Sequence, residues 1–285
     1  MMFRTRFAPS PTGPLHLGHA YSALLAHDMA RAAGGSFLLR IDDIDQSRAR
    51  PEWEDQIYDD LLWLGIRWNE PVRRQSDHIK DYAQAVDKLT DIGLTYACAC
   101  TRRDIEEAAS APQEGTPDFG PDGRIYPGTC RDLNLPVTDQ TVTRLNMARA
   151  CARALPASFT ETGPSHAGTH TLNADEITAT IGDVVLVRRQ MAAAYHLAVV
   201  VDDMAQNITH VIRGQDLFEA THIHVLLQKL LGLPTPTYHH HALIRDDAGK
   251  RLAKRDDARA IAKYRAEGAT PADIRRLVGL PPSSS

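Results

Sequence analysis

Between an apolar start, Phe3 to Phe7, and a second apolar run, Phe37 to Ile41, the chain carries a proline and glycine turn, Pro9-Ser10-Pro11-Thr12-Gly13-Pro14. From Leu15 a helical pattern follows, with Leu17, Tyr21, Leu24, Leu25 and Met29 on one face and Gly34-Gly35 at a C-cap position. Strand, loop, helix and strand in that order leave few alternatives. The two strands must be parallel, their crossover right-handed, and ligands then gather at the carboxyl ends of the strands, beside the helix N-terminus. The second run leads into Asp42, Asp43 and Asp45, which places acidic groups at that end.

The rest of the chain extends this α/β unit and interrupts it. One helix is expected from Pro51 to Gly65, and another carries Ile79, Tyr82, Val86, Leu89 and Ile92 before Gly93. From Thr95 the character changes: a short strand at Tyr96 to Cys100, a helix from Thr101, then a Pro and Gly-rich stretch from Pro112 to Gly128, read as an inserted subdomain. Val184 to Arg188 and Leu197 to Val201 read as buried strands, Val211-Ile212 as a third, and Asp216 to Leu231 as a helix capped by Gly232. The expected organisation is a first half of the α/β core at 1–95, an insertion at 96–182, a second half at 183–245 and a terminal region at 246–285. At 285 residues the chain has room for this, and 43% hydrophobic with 24% charged residues exclude a disordered chain. A net charge of -4 excludes a globally basic nucleic-acid binder, so any RNA contact must be a local patch. No apolar run is long enough to span a membrane and Met1 to Phe7 lacks the apolar core of a signal peptide. Together with four cysteines, too few for a disulfide framework, this predicts a cytoplasmic protein, and without a heptad or exposed apolar stripe a monomer.

Two segments carry phosphate chemistry. His16-Leu17-Gly18-His19 opens the first helix, where unpaired N–H groups and the helix dipole favour an anion. Gly18 permits close approach, and His16 and His19, three apart, can both reach an α-phosphate as charge develops. Against this stands the reading of two histidines that only cap a helix. Gly249-Lys250-Arg251-Leu252-Ala253-Lys254-Arg255 offers cations for the β- and γ-phosphates, although most such runs are solvated loops. Cys98 and Cys100 share one face of a strand, and Cys130 could join them; three sulfurs leave a tetrahedral zinc site one ligand short, for which Cys151 is the natural fourth.

Arg6 through His19, then Leu39-Arg40-Ile41-Asp42-Asp43-Ile44-Asp45, then Val211-Ile212-Arg213-Gly214-Gln215-Asp216-Leu217, resemble the class I glutamyl-tRNA synthetases over nearly the whole chain. Only thirty residues follow Arg255, and this shortness, with Cys98-x-Cys100, Tyr126 and Cys130, resembles the glutamyl-Q tRNA(Asp) synthetases. The resemblance implies a Rossmann-type α/β catalytic core, a zinc-bearing insertion and a short C-terminal helical remnant without an anticodon-binding domain. It implies activation of L-glutamate by ATP with Mg2+, without help from tRNA, and transfer of glutamate to the queuosine base in the anticodon stem-loop of tRNA(Asp). Arg6, Ala8, Ser10, Asp42, Tyr195 and Arg213 then line the glutamate site; His16, His19 and Lys254 are catalytic; His16, Gly18, His19, His240, Arg251 and Lys254 bind ATP.

Three departures from the family pattern stand out. Asp42 replaces the usual Glu and is a methylene shorter, Arg251 replaces a Lys, and Ala253 a Ser. The resemblance names Tyr126 as the fourth ligand of one structural Zn2+ beside Cys98, Cys100 and Cys130, with Cys151 the rival and reduced, unligated thiols the third reading. His239 and His241 read as strand residues rather than metal ligands. If Arg213 had no ligand, it would need a carboxylate such as Asp216. The RNA patch is sought among Arg144, Arg149, Arg153, Arg188 and Arg189. Rival functions are a shortened synthetase that charges a tRNA 3′ end, a catalytically silent RNA-binding paralogue, and a small-molecule nucleotidyltransferase.

Overall fold

Parallel pairing of the first two strands sets the architecture of this computed structural model, which describes residues 2–109, 118–244 and 259–282. β1 (Arg4–Phe7) runs into the proline-rich turn, α1 (Leu17–Ala32) crosses back, and β2 (Ser36–Ile41) pairs with β1 in register Arg4 to Ser36 through Phe7 to Leu39. The helix buries the small residues Ala20, Ala23, Ala26 and Ala30 with Leu17 and Leu24, so it lies close on the sheet; Tyr21, Leu25 and Met29 border the same core. α2 (Pro51–Trp63) opens on a proline at its first turn, β3 (Arg73–Arg74) adds a short parallel edge to β2, and α3 (Ile79–Asp91) buries Tyr82, Ala85 and Leu89.

The inserted part begins with β4 (Thr95–Cys98), α4 (Arg102–Ala109) and a small hairpin of β5 (Phe119–Gly120) and β6 (Gly123–Arg124). β7 (Val142–Leu145) pairs antiparallel with β4, and α5 (Met147–Ala154) follows. β8 (Ser158–Glu161) and β9 (Gly168–Thr171), with α6 (Ala174–Thr180) after them, precede β10 (Val185–Val187). Two sheets divide these strands. β10, β7 and β4 form one antiparallel sheet, whereas β8 and β9 join β12 (Thr237–His241), so the stretch between 96 and 182 feeds both.

The chain then returns through α7 (Tyr195–Ala205), β11 (His210–Gly214), α8 (Ala220–Leu231) and β12, and ends in α9 (Ile261–Ala266) and α10 (Pro271–Leu277). β11 pairs parallel with β12 and lies beside β1, where the Thr209 amide donates to the Arg4 carbonyl at 2.9 Å. Strands from the two ends of the sequence thus sit side by side.

Two expectations are corrected here. Leu197 to Val201 is helix, not strand: these residues occupy the middle of α7, where residues 196–200 are all buried. A run of consecutive aliphatic residues suits a helix buried on every side as well as a buried strand, and periodicity cannot separate them. The helix expected from Asp216 is broken into a short 3-10 turn, Gln215–Leu217, and α8; Gly232, at φ 69, provides its left-handed C-cap as read from the sequence.

Candidate active site

His16 is the N-cap of α1. Its Nδ1 accepts from the Gly18 amide at 3.1 Å, and His19 Nδ1 accepts from the His16 amide at 3.2 Å, a reciprocal capping box made by two imidazoles whose rings stack at 3.8 Å. Capping and phosphate binding are therefore compatible. An Nδ1 that accepts fixes the neutral ring's proton on Nε2, so both rings present Nε2–H as their donor. Lys254 and Arg251 lie outside the described residues, but both flanks of their segment are fixed on α1: the Ile261 amide donates to the Leu15 carbonyl at 2.8 Å, Ala260 bridges to His16, and Ser22 Oγ lies 2.8 Å from His241 Nε2.

At the carboxyl ends of β1 and β2 a buried ionic network forms. Arg6 forks onto Asp203 at 2.8 and 3.2 Å, and Asp203 also takes Arg40 at 2.6 Å. Arg40, fully buried, donates to Asp42 at 2.7 Å. Asp202, the neighbour of Asp203, receives Arg73, Gln75 and Tyr82. Two guanidinium groups hold Asp203 below the ordinary carboxylate range despite its burial, while burial pushes Asp42 up to about 6 against the pull of Arg40. Of the residues expected to hold glutamate, Arg6 and Asp42 are thus joined through Asp203 and Arg40. Ala8 is half-buried and Ser10 exposed on the turn beyond β1, which is tied to β2 by the Asp42 amide donating to Pro9 O at 3.0 Å.

Arg213, near the end of β11, completes this side. Its Nε donates to His240 Nε2 at 3.0 Å, Nη1 to His224 Nδ1 at 3.0 Å, and Nη2 to Thr221 Oγ1 at 2.8 Å and the Leu217 carbonyl at 3.2 Å. Among the described residues the guanidinium is held by neutral acceptors rather than by the carboxylate that an isolated structural arginine would require, which suits it to take an anion. Burial and the neighbouring Arg213 keep His224 well below its ordinary value and His240 down at about 4, so both imidazoles are neutral. Tyr195, at the start of α7, sets its ring edge-on to His224 at 5.8 Å, which joins it to Arg213. His240 is 1% exposed, with Glu161 on one ring nitrogen and Arg213 on the other; it lies behind the arginine. Asp203, Arg40, Glu161, Thr221 and His224 were not singled out from sequence.

The cysteine cluster lies on the insertion. The sulfurs of Cys98, Cys100 and Cys130 all fall within 4.8 Å of one another, and Tyr126 Oη sits 3.3 Å from Cys98 and 3.5 Å from Cys100. The Cys130 amide donates to the same Oη at 2.8 Å. Three soft donors and one oxygen at this spacing fit a tetrahedral zinc, whose sulfur bonds are about 2.3 Å. Cys151 belongs to another place: it packs in the larger core around α5 and α8, where burial pushes its thiol up to about 11. Within the cluster, burial alone would raise Cys130, yet donors from Tyr126 and Ala99 outweigh it and bring that thiol down to about 7. The donor set is ready to hold a cation, and its role there would be structural.

Of the arginines considered for RNA, Arg144, Arg188 and Arg189 line one groove of about 640 Å³ with Arg102, Arg124 and the exposed Phe119. Arg149 and Arg153 belong to α5 and do not line it. Among the described residues no helix is long and apolar enough to cross a membrane.

Comparison with known proteins agrees with this geometry. Residues 2–282 match the family described as tRNA synthetases class I (E and Q), catalytic domain. A glutamyl-Q tRNA(Asp) synthetase from Rhodobacter capsulatus is 64% identical over 280 residues, covering 97% of this chain and 99% of that protein. A glutamate–tRNA ligase from Aquifex aeolicus is 37% identical, covering 94% of this chain and 54% of its own. Among solved structures, a glutamate tRNA ligase from Elizabethkingia meningosepticum, in complex with its amino acid, superposes with a TM-score of 0.76 at 28% identity; the chain spans 98% of itself and 60% of that protein.

Proposed function

Because the chain belongs to the class I glutamyl and glutaminyl tRNA synthetases, and within them to the glutamyl-Q tRNA(Asp) synthetases, we propose that it activates L-glutamate with ATP and passes it to the queuosine base in the anticodon stem-loop of tRNA(Asp). The observation that carries this reading is the 64% identity, end to end, with the Rhodobacter protein, against 37% with the Aquifex ligase. In the first step the glutamate α-carboxylate attacks the α-phosphate in line, and pyrophosphate leaves. Mg2+ accompanies the triphosphate as part of the substrate.

The residues supply positioning and charge. Arg213, whose guanidinium is held by neutral partners among the described residues, takes a glutamate carboxylate with Tyr195 beside it; Arg6, Ala8, Ser10 and Asp42 complete the pocket. Asp42 is held by Arg40 and is a methylene shorter than the family's Glu, so it acts on the ammonium as a nearby negative charge or through a water. His16 and His19 donate from Nε2 to the phosphate as charge builds up, with Gly18 allowing close approach and Lys254 and Arg251 adding cations from the loop whose flanks rest on α1. His240 serves the site by holding Arg213 rather than by touching nucleotide. Cys98, Cys100, Tyr126 and Cys130 hold a structural Zn2+, and the arginine-lined groove beside them is the RNA surface. Four free cysteines suit work in the cytoplasm, as a monomer.

Transfer of labelled glutamate to two synthetic tRNA(Asp) anticodon stem-loops, one with queuosine and one with guanosine, tests the acceptor. Label on the queuosine hairpin alone is expected. Label at the 3′ end of full-length tRNA instead would make the chain a shortened charging enzyme.

A further inference from the structure

Arg213 is the middle of a hydrogen-bonded chain whose every proton can be assigned. A guanidinium only donates, so the nitrogens facing it, His240 Nε2 at 3.0 Å and His224 Nδ1 at 3.0 Å, must both accept. The proton of neutral His240 is then on Nδ1, where it meets Glu161 Oε2 at 2.5 Å. On the far side His224 must carry Nε2–H, which donates to His196 Nδ1 at 3.0 Å, and His196 in turn places Nε2 3.3 Å from Asp122, on the turn between β5 and β6. Glu161 is 2% exposed and its other oxygen accepts from the amides of Gly163 at 2.5 Å and His240 at 2.9 Å. The backbone is shaped around this carboxylate: a Cβ on Gly163 would meet the His240 carbonyl at 2.2 Å and Glu161 Oε1 at 2.7 Å. A buried carboxylate with three donors can act only as an acceptor, which fixes the tautomer of His240 and so the acceptor offered to Arg213.

We propose that Glu161 is a positioning residue for the amino-acid site: by accepting the proton on His240 Nδ1 it keeps His240 Nε2 as the acceptor that holds Arg213 in place for a substrate carboxylate. The inference rests on the glutamate role given to Arg213 above. It makes an unusual prediction about two conservative substitutions. Glu161→Gln keeps the size of the side chain but turns a donor toward Nδ1, so His240 must move its proton to Nε2 and confront Arg213 donor to donor. Glu161→Asp is smaller by a methylene but remains an acceptor, so the tautomer survives. If Glu161 only filled space, Gln would be the milder change; if it sets the proton, Asp is.

The experiment is steady-state adenylate formation by the full chain with both variants and with Arg213→Ala, together with 15N–1H long-range correlation spectra of the histidine rings. The expected result is a glutamate KM raised about tenfold in Glu161→Gln and less in Glu161→Asp, with the ATP KM within about twofold in both, and a switch of His240 from Nδ1–H to Nε2–H in the Gln variant alone. A His240 tautomer unchanged in Glu161→Gln, a milder effect of Gln than of Asp, or a parallel rise in the ATP KM would overturn the proposal. Should Glu161→Gln not fold, Glu161→Asp still decides: folded, with Nδ1–H retained and glutamate KM raised less than in Arg213→Ala, it supports the proposal, and with Nδ1–H lost it refutes it. A glutamate KM that Arg213→Ala leaves unchanged would instead remove the role of Arg213 on which the inference rests.

Discussion

Asp203 receives both Arg6 and Arg40 in a buried space; Arg40 also has Asp42 at 2.7 Å, whereas Asp203 is the carboxylate that pairs with Arg6 among the described residues. Replacing it with Asn leaves one buried charge uncompensated, and a loss of about 3 kcal/mol in urea unfolding is expected. Since its folded pKa lies below the ordinary value, its contribution is present at neutral pH and is lost as pH falls through the folded value. Asp60 behaves oppositely. It is fully buried on α2, neither oxygen has a hydrogen-bond partner among the described residues, and burial pushes it up to about 6. A raised acid binds its proton more tightly when folded, so its stabilising effect is complete below about pH 4 and disappears as pH rises through about 6. Asp60→Asn is therefore expected to raise Tm at pH 7.5 and to lose that advantage at pH 4.5; equal Tm differences at both would contradict this. At the phosphate end, His19→Ala removes both a cap and an Nε2 donor. It is expected to lower adenylate formation about 100-fold while glutamate affinity changes less than threefold, as read by kcat against KM.

Helix and strand boundaries were legible where chemistry punctuates them: the turn before α1, Pro51 in the first turn of α2 and Gly232 after α8 each act on the adjacent backbone. They were not legible at α7, because burial on all sides erases the polar stripe that would have shown a period of 3.6. That misreading also hid Asp202 and Asp203, which on a strand would alternate faces but on α7 both turn inward. The cysteine cluster was more readable, since β4 delivers Cys98 and the chain just beyond it Cys100, while Tyr126 and Cys130 come from a single loop four residues apart. Choosing between Tyr126 and Cys151 needed the fold, which buries Cys151 in the larger core and away from the cluster. Elemental analysis of the purified chain should give one zinc per molecule, retained in Cys151→Ser and lost, with a lower Tm, in Cys130→Ser. Zinc lost from the Cys151 variant alone would reverse the ligand assignment.

Over the whole molecule, the site is made by contacts that no local reading reaches. Arg40 and Asp203 are 163 residues apart, Arg6 and Asp203 197, and Glu161 and His240 79. The sequence shows residue types suited to each task and a resemblance that names some of them, but pairings over such distances follow only from β1 lying beside β11 and β8 beside β12. Once those strands meet, Arg6, Arg40 and Arg213 stand at one end of the sheet, next to the histidine-capped start of α1, and the proposed amino-acid and nucleotide sites adjoin there. In the proposed function glutamate is activated without RNA. Pyrophosphate exchange is therefore the most direct test: with labelled pyrophosphate, ATP, Mg2+ and no tRNA, glutamate should drive exchange into ATP while aspartate and glutamine do not. Exchange that begins only when tRNA is added, or that fails with glutamate altogether, would contradict the account.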